Sequence, residues 1–305
     1  MSINWPNFIF ICGYFLTTPL YAIMLALITY NRKATKFSRP FHALIVSQGL
    51  ADMLYMNAYV TFGLFAFIII SADVPPSLRD TSSTIFLKLL CYCLALRCFG
   101  LMFISLQRYV VICRWSSRAN AILNSIGPIY VVVVHWTLPA FFCLPTFLIP
   151  SSKFGPNLDQ TVVLSYEHFT VVSINVNFCV FIPFSICLFC YTAVMYKLKK
   201  KPVTETMMAE ARICIQVAVF VFAFVLIFMY YLIQLVFTLI TSKQNYEFRK
   251  IHPILSGFLS FVIPWTLLLF NRDVQKMMKS FTRCKPSNRL PQRAWTTTTS
   301  HTQTH

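Results

Sequence analysis

Two ionisable residues stand inside long apolar stretches of this chain: Asp52 in GLADMLY and Arg97 in CLALRCF. A lone charge in hydrocarbon is costly, so such residues either pair with one another or line an ion pathway. Asp52 is eleven residues beyond Phe41, where its stretch begins, and Arg97 is eleven residues before Arg108, where its stretch turns basic. At 1.5 Å per residue in a helix, both sit about 16 Å deep. Opposite charges at one depth predict a buried ion pair between two helices. The remaining reactive side chains assemble no catalyst. His42, His135 and His252 fall in separate stretches, with neither metal-ligand spacing nor a nucleophile beside its base, and they read as membrane-edge histidines. No enzymatic activity, cofactor or metal is expected.

The elements that hold these residues are set by composition. Of 305 residues, 57% are hydrophobic and 11% charged, and mean hydropathy is +0.65; soluble domains carry roughly 25% charged residues. Apolar runs lie at about 8–30, 41–70, 84–113, 125–150, 169–196, 213–240 and 253–271. Each is long enough to span a bilayer, and unpaired backbone groups in lipid require them to be helices. Strand alternation, the mark of a barrel, is absent. The reading is an all-α membrane protein: a seven-transmembrane helix bundle over residues 1–284, with no removable signal peptide ahead of it.

Charge sets the orientation. With the N-terminus outside, the inner segments and tail hold 19 basic and 3 acidic residues, against 5 of each in the outer loops. That bias follows the cytoplasmic preference of Lys and Arg. The net charge of +17 therefore belongs to the membrane face, and no nucleic-acid partner is expected. Beyond the last span, Val274, Met277, Met278 and Phe281 recur at helical spacing around Lys276 and Lys279, which predicts an interfacial helix at about 273–283. Cys284 follows in a setting suited to lipidation, and 285–305 reads as a disordered cytoplasmic tail. The other ten cysteines fall within the spans, as small packing residues do.

The third span closes in Gln107-Arg108-Tyr109-Val110-Val111-Ile112-Cys113. This resembles the acidic-Arg-Tyr motif of rhodopsin-like G-protein-coupled receptors, with Gln107 in the acidic place. LADML around Asp52, Trp136 with Pro139, Pro183 followed eight residues later by Tyr191, and Pro264 before LLLFNR extend the likeness over the chain. The departures narrow it. The sixth span has no Pro, Ile263 precedes Pro264 where Asn is usual, Leu267 replaces Tyr, and residues 151–168 offer no Cys for the common outer-loop disulfide. With FHALIVSQGLADMLY and PWTLLLFNRD, the chain is similar to nematode serpentine chemoreceptors of the gamma-type superfamily, class V.

That resemblance implies a plasma-membrane receptor for a small-molecule ligand that signals to a heterotrimeric G protein through Arg108, Tyr109 and Tyr191. It also implies that Arg97 takes the place of the sodium ion that a second-span aspartate binds in related receptors. Because Gln107 cannot ionise, raised basal activity is expected. Ligand contacts are expected from Leu90, Cys93 and Leu94 in the third span, Asn175 or Asn177 in the fifth, and Tyr230 and Gln234 in the sixth, which together suit a largely apolar ligand. Lys88, nine residues from Arg97, is half a turn away around the helix and is expected to snorkel. A retinal-binding reading fails for want of a lysine in 253–271. A ligand-gated channel or transporter is the alternative, motivated by Asp52 and Arg97 and weakened by the lack of internal repeats.

Overall fold

A computed structural model describes residues 5–31, 39–71, 75–114, 117–154, 162–199, 205–241 and 246–282. Proline starts many of the helices, where its missing N–H costs nothing and its fixed φ suits the first turn. It occupies the first or second position of α1 (Trp5–Tyr30), α2 (Arg39–Ser71) and α3 (Pro76–Cys113). α4 (Arg118–Ser125) precedes the fourth apolar stretch, which is divided into α5 (Pro128–Phe142) and α6 (Leu144–Phe147). The continuous span expected at 125–150 is thus shorter: the residue before a proline is pushed out of the helical region, Gly127 ahead of Pro128 is extended, and Pro145 restarts the chain in the first turn of α6.

A two-strand hairpin, β1 (Lys153–Phe154) with β2 (Val162–Val163), leads into α7 (Tyr166–Lys199) and the proline-free α8 (Glu205–Thr241). One turn, α9 (Tyr246–Arg249), precedes α10 (His252–Phe270). Asn271 then turns the chain, its side-chain oxygen accepting the Val274 N–H at 3.1 Å as a helix N-cap does. This starts α11 (Arg272–Thr282), which presses Val274, Met277 and Met278 onto the core and leaves Lys276, Lys279 and Phe281 exposed. Cys284 and residues 285–305 lie outside the described residues.

Among the described residues, five helices are long and apolar enough to cross a membrane, and α5 is a shorter apolar one; with the 33-residue α2 they make seven. Their outward surface is oily. Phe15 and Leu16 of α1, Tyr130 and Phe141 of α5, and Phe189 of α7 are exposed, while Asp52, Arg97, His135, Ser256 and Ser260 are enclosed. That inversion of the soluble pattern is what lipid as solvent demands.

Helix α3 is the centre. Every residue from Cys93 to Met102 is buried, as for a helix surrounded on all sides. It packs on α2, α5 and α7, while α10 closes the ring against α1 and α8. Gly100 makes this possible: a Cβ there would lie 1.7 Å from Gln48 Oε1 and 2.6 Å from His135 Nε2. His135 is accordingly no membrane-edge residue. It is fully buried, joined to Ser47 at 2.8 Å and to the Leu96 carbonyl at 3.0 Å, and Trp136 donates to the same Ser47 hydroxyl at 2.9 Å.

Candidate functional site

The middle of the bundle holds a polar junction of four helices. Arg97 Nε of α3 donates to Asp52 Oδ1 of α2 at 3.0 Å, with both side chains fully enclosed. The rest of the guanidinium reaches α10, donating to Ser256 Oγ at 3.0 Å and also to the Ser256 carbonyl. Asp52 accepts in addition from Tyr21 of α1 at 2.9 Å, Ser260 of α10 at 3.1 Å and Gln48 at 3.4 Å. Every partner of the carboxylate is a donor, which suits its ionised, acceptor-only form. The Tyr55 ring lies beneath the guanidinium at 4.2 Å. Depth in the sequence pointed to the Asp52 and Arg97 partners but not to Tyr21, Ser256 or Ser260. The one available signal was Ser256 and Ser260 sharing a face at i and i+4 of SGFLS.

About two turns from the junction toward the start of α3, a cavity of about 120 Å³ lies among α3, α7, α8 and α10. Leu87, Leu90 and Cys91 of α3 and Val172 and Val176 of α7 make its apolar walls. Ser173, Tyr230, Tyr231, Gln234 and His252 supply polar groups, and Arg249 and Lys250 stand in the same lining. Tyr231 and His252 hydrogen-bond at 2.7 Å, and Tyr230 stacks on Phe248 at 4.9 Å.

Of the residues expected to meet ligand, Leu90, Tyr230 and Gln234 line this cavity, whereas Cys93, Leu94, Asn175 and Asn177 do not. Cys93 and Leu94 lie one turn deeper and are packed shut. Asn175 turns away to donate to Thr146 of α6 at 2.9 Å. Asn177 is spent on the Ser173 and Tyr231 carbonyls at 2.8 and 3.2 Å. Lys88 is half-buried and outside the lining.

The hairpin segment roofs the cavity through Val162 and Leu164. With no cysteine available, it is pinned to the N-terminal part of α3 by other means. Ser83 and Ser152 hydroxyls meet at 3.0 Å, Ser152 N–H donates to Thr84 at 2.9 Å, and Phe154 packs on Phe86 at 6.3 Å. No disulfide links the described cysteines, most of which are buried.

At the opposite end, the Arg108 guanidinium lies 3.7 Å from the centre of the Phe41 ring of α2, and Gln107 is buried. Tyr109 turns instead toward Phe189 of α7 at 5.9 Å, and Tyr191 is half-buried on the same helix. Lys197 donates to the Cys113 carbonyl at 2.8 Å, capping α3 with a cation at its negative end.

Seven apolar helices, a cavity toward one end of the bundle and a charged junction beneath it are the architecture of a multi-pass membrane protein. The chain belongs to the family of serpentine type 7TM GPCR chemoreceptors, Srv, whose profile matches residues 10–284. A search of curated proteins finds no match. The family is one of chemoreceptors, not of enzymes, and membership implies small molecules, G proteins and membrane lipid as its kinds of partner.

Proposed function

We propose that this receptor sits in the plasma membrane with its N-terminus outside, binds a small molecule in the outer cavity and passes a helix rearrangement to a heterotrimeric G protein. The observation that carries the reading is a chain of contacts from cavity to junction. Tyr59 lines the cavity, its ring lies 6.2 Å from that of Tyr55, and Tyr55 lies under Arg97. A second route runs along α10, where His252 and Pro253 line the cavity one turn before Ser256. A ligand that binds one arrangement of α3 and α10 better than another shifts the population between them, and the Arg97 bonds to Ser256 are what such a shift must strain or keep.

The cytoplasmic readout is assigned to Arg108, Tyr109 and Tyr191, with Arg108 restrained on Phe41 in the resting arrangement. The basic stretch 197–201 is assigned to anionic lipid; Lys200 and Lys201 lie outside the described residues, as does the proposed lipidation site Cys284. The channel alternative gains nothing, since Asp52 and Arg97 are fully enclosed and bonded to protein. The test is reporter imaging of receptor-expressing cells against a panel of volatile and water-soluble chemicals, repeated with Arg108→Ala. We expect the variant to reach the surface and stay silent to every agonist of the parent; normal signalling from it would contradict the coupling assignment.

A further inference from the structure

We infer that the cavity recognises a compact neutral molecule whose polar head only accepts hydrogen bonds, a ketone or ester carbonyl, through the hydroxyls of Ser173 and Tyr230. The inference rests on the cavity being the ligand site, and it brings in Ser173, which was not among the residues expected to meet ligand. What carries it is how the polar groups of the lining are already engaged. Tyr59 donates to Asn7 at 3.3 Å, Tyr231 and His252 are bonded to each other, and Arg249 and Lys250 have partners within the protein. Gln234 is only half-buried. Ser173 and Tyr230 are 6% and 3% exposed. Their contacts run through the Ser173 carbonyl, which accepts from Asn177, and the Tyr230 ring, which stacks on Phe248. Neither hydroxyl has a hydrogen-bond partner among the described residues, and both residues line the cavity.

The two hydroxyls stand at one level of the bundle. Asn177 Nδ2 donates to the Ser173 carbonyl at 2.8 Å and to the Tyr231 carbonyl at 3.2 Å, which ties Ser173 of α7 to the turn of α8 that carries Tyr230. A ligand oxygen that accepts from a buried hydroxyl satisfies a group that is costly to leave unpaired. A carbonyl oxygen has two lone pairs, so a single carbonyl can accept from both hydroxyls with no donor of its own left over. An alcohol brings a further O–H that must find an acceptor. A carboxylate or an ammonium brings a charge among the leucine and valine walls, where it is expensive to desolvate. Those walls, at Leu87, Leu90, Val172 and Val176, take the body. The volume of about 120 Å³ is close to the roughly 150 Å³ of an engineered cavity that holds one benzene, which sets that body at a single six-membered ring.

The test uses purified full-length receptor in lipid nanodiscs, with thermal unfolding followed against probe concentration. The probes share one ring and differ in the head: cyclohexanone, cyclohexanol, methylenecyclohexane, cyclohexanecarboxylate and cyclohexylamine. Cyclohexanone should half-saturate at a lower concentration than the alcohol, the acid or the amine. Ser173→Ala and Tyr230→Phe each remove one O–H and keep the shape of the wall, and a neutral hydrogen bond is worth about 2- to 10-fold in affinity. Each variant should therefore weaken cyclohexanone by that factor while binding methylenecyclohexane, which has no acceptor, as the parent does. The alcohol, the acid or the amine binding as tightly as the ketone, or both variants binding the ketone as the parent does, would overturn the acceptor class and leave the cavity standing. The comparison of heads needs no variant, so a variant that fails to fold does not shelter the inference. If no probe binds, the cavity reading falls and the inference with it.

Discussion

Truncating either Asp52 or Arg97 strands the other charge in an interior from which both are excluded from solvent. Breaking a buried pair in this way costs roughly 3 to 5 kcal/mol. Asp52→Ala and Arg97→Ala should each lower surface expression, and the double variant should recover part of the loss; additive losses would argue that the two act separately. Sodium should leave agonist affinity unchanged, because the guanidinium already satisfies the carboxylate. Arg108 is restrained differently. With Gln107 unable to ionise, the Phe41 ring is one partner its guanidinium rests on, so Phe41→Leu should raise basal signalling. Gln107→Glu should lower basal signalling, and unchanged basal signalling would count against a role for the missing acid. Depth along two helices was enough to bring Asp52 and Arg97 together from sequence. The roles of Tyr21, Ser256 and Phe41 were not legible, because they depend on how α1, α2 and α10 are rotated, which an all-round apolar pattern does not encode.

Between elements, the tightest approach is at Gly100. A methyl group there meets Gln48, which donates to Asp52, and a His135 ring fixed by Ser47 and Leu96. Overpacking of this kind costs about 1 to 3 kcal/mol, so Gly100→Ala should reduce thermal stability and surface expression. Gly127→Ala, whose Cβ among the described residues meets Tyr130 alone, at 3.3 Å or more, should leave both near the parent's. The hairpin makes a second element-level prediction. Ser152→Ala removes its hydroxyl contact to Ser83, and a hydrogen bond is worth about 1 kcal/mol. Since Val162 and Leu164 of this segment form cavity wall, agonist affinity should fall by a few fold with little change in expression. The seven stretches were readable from hydropathy because lipid imposes length and composition. The division of the fourth was carried by Pro128 and Pro145, a local signal masked by the apolar residues around them. The hairpin's attachment was unreadable, since hydroxyls such as Ser83 and Ser152 are common and carry no pairing information, unlike cysteines.

Across the whole molecule, one arrangement links three levels of the bundle: a cavity toward one end, the Asp52 and Arg97 junction in the middle, and Arg108 on Phe41 toward the other end. Helix α3 runs through all three, contributing Leu90, Arg97 and Arg108 in turn, and α8 has no proline at which to bend. Motion is proposed in α10, where Pro264 interrupts the backbone ladder and Ser256 is held by Arg97. The account's central claim is that signalling begins in the outer cavity. The measurement that tests it most directly is the agonist response of Leu90→Trp, normalised to surface receptor counted by an N-terminal tag in unpermeabilised cells. Tryptophan at a cavity wall takes up the space a ligand needs, without touching the junction or the cytoplasmic end. The account predicts normal surface numbers with the response to every agonist lost or shifted by tenfold or more; a full response at unchanged agonist concentration would contradict it.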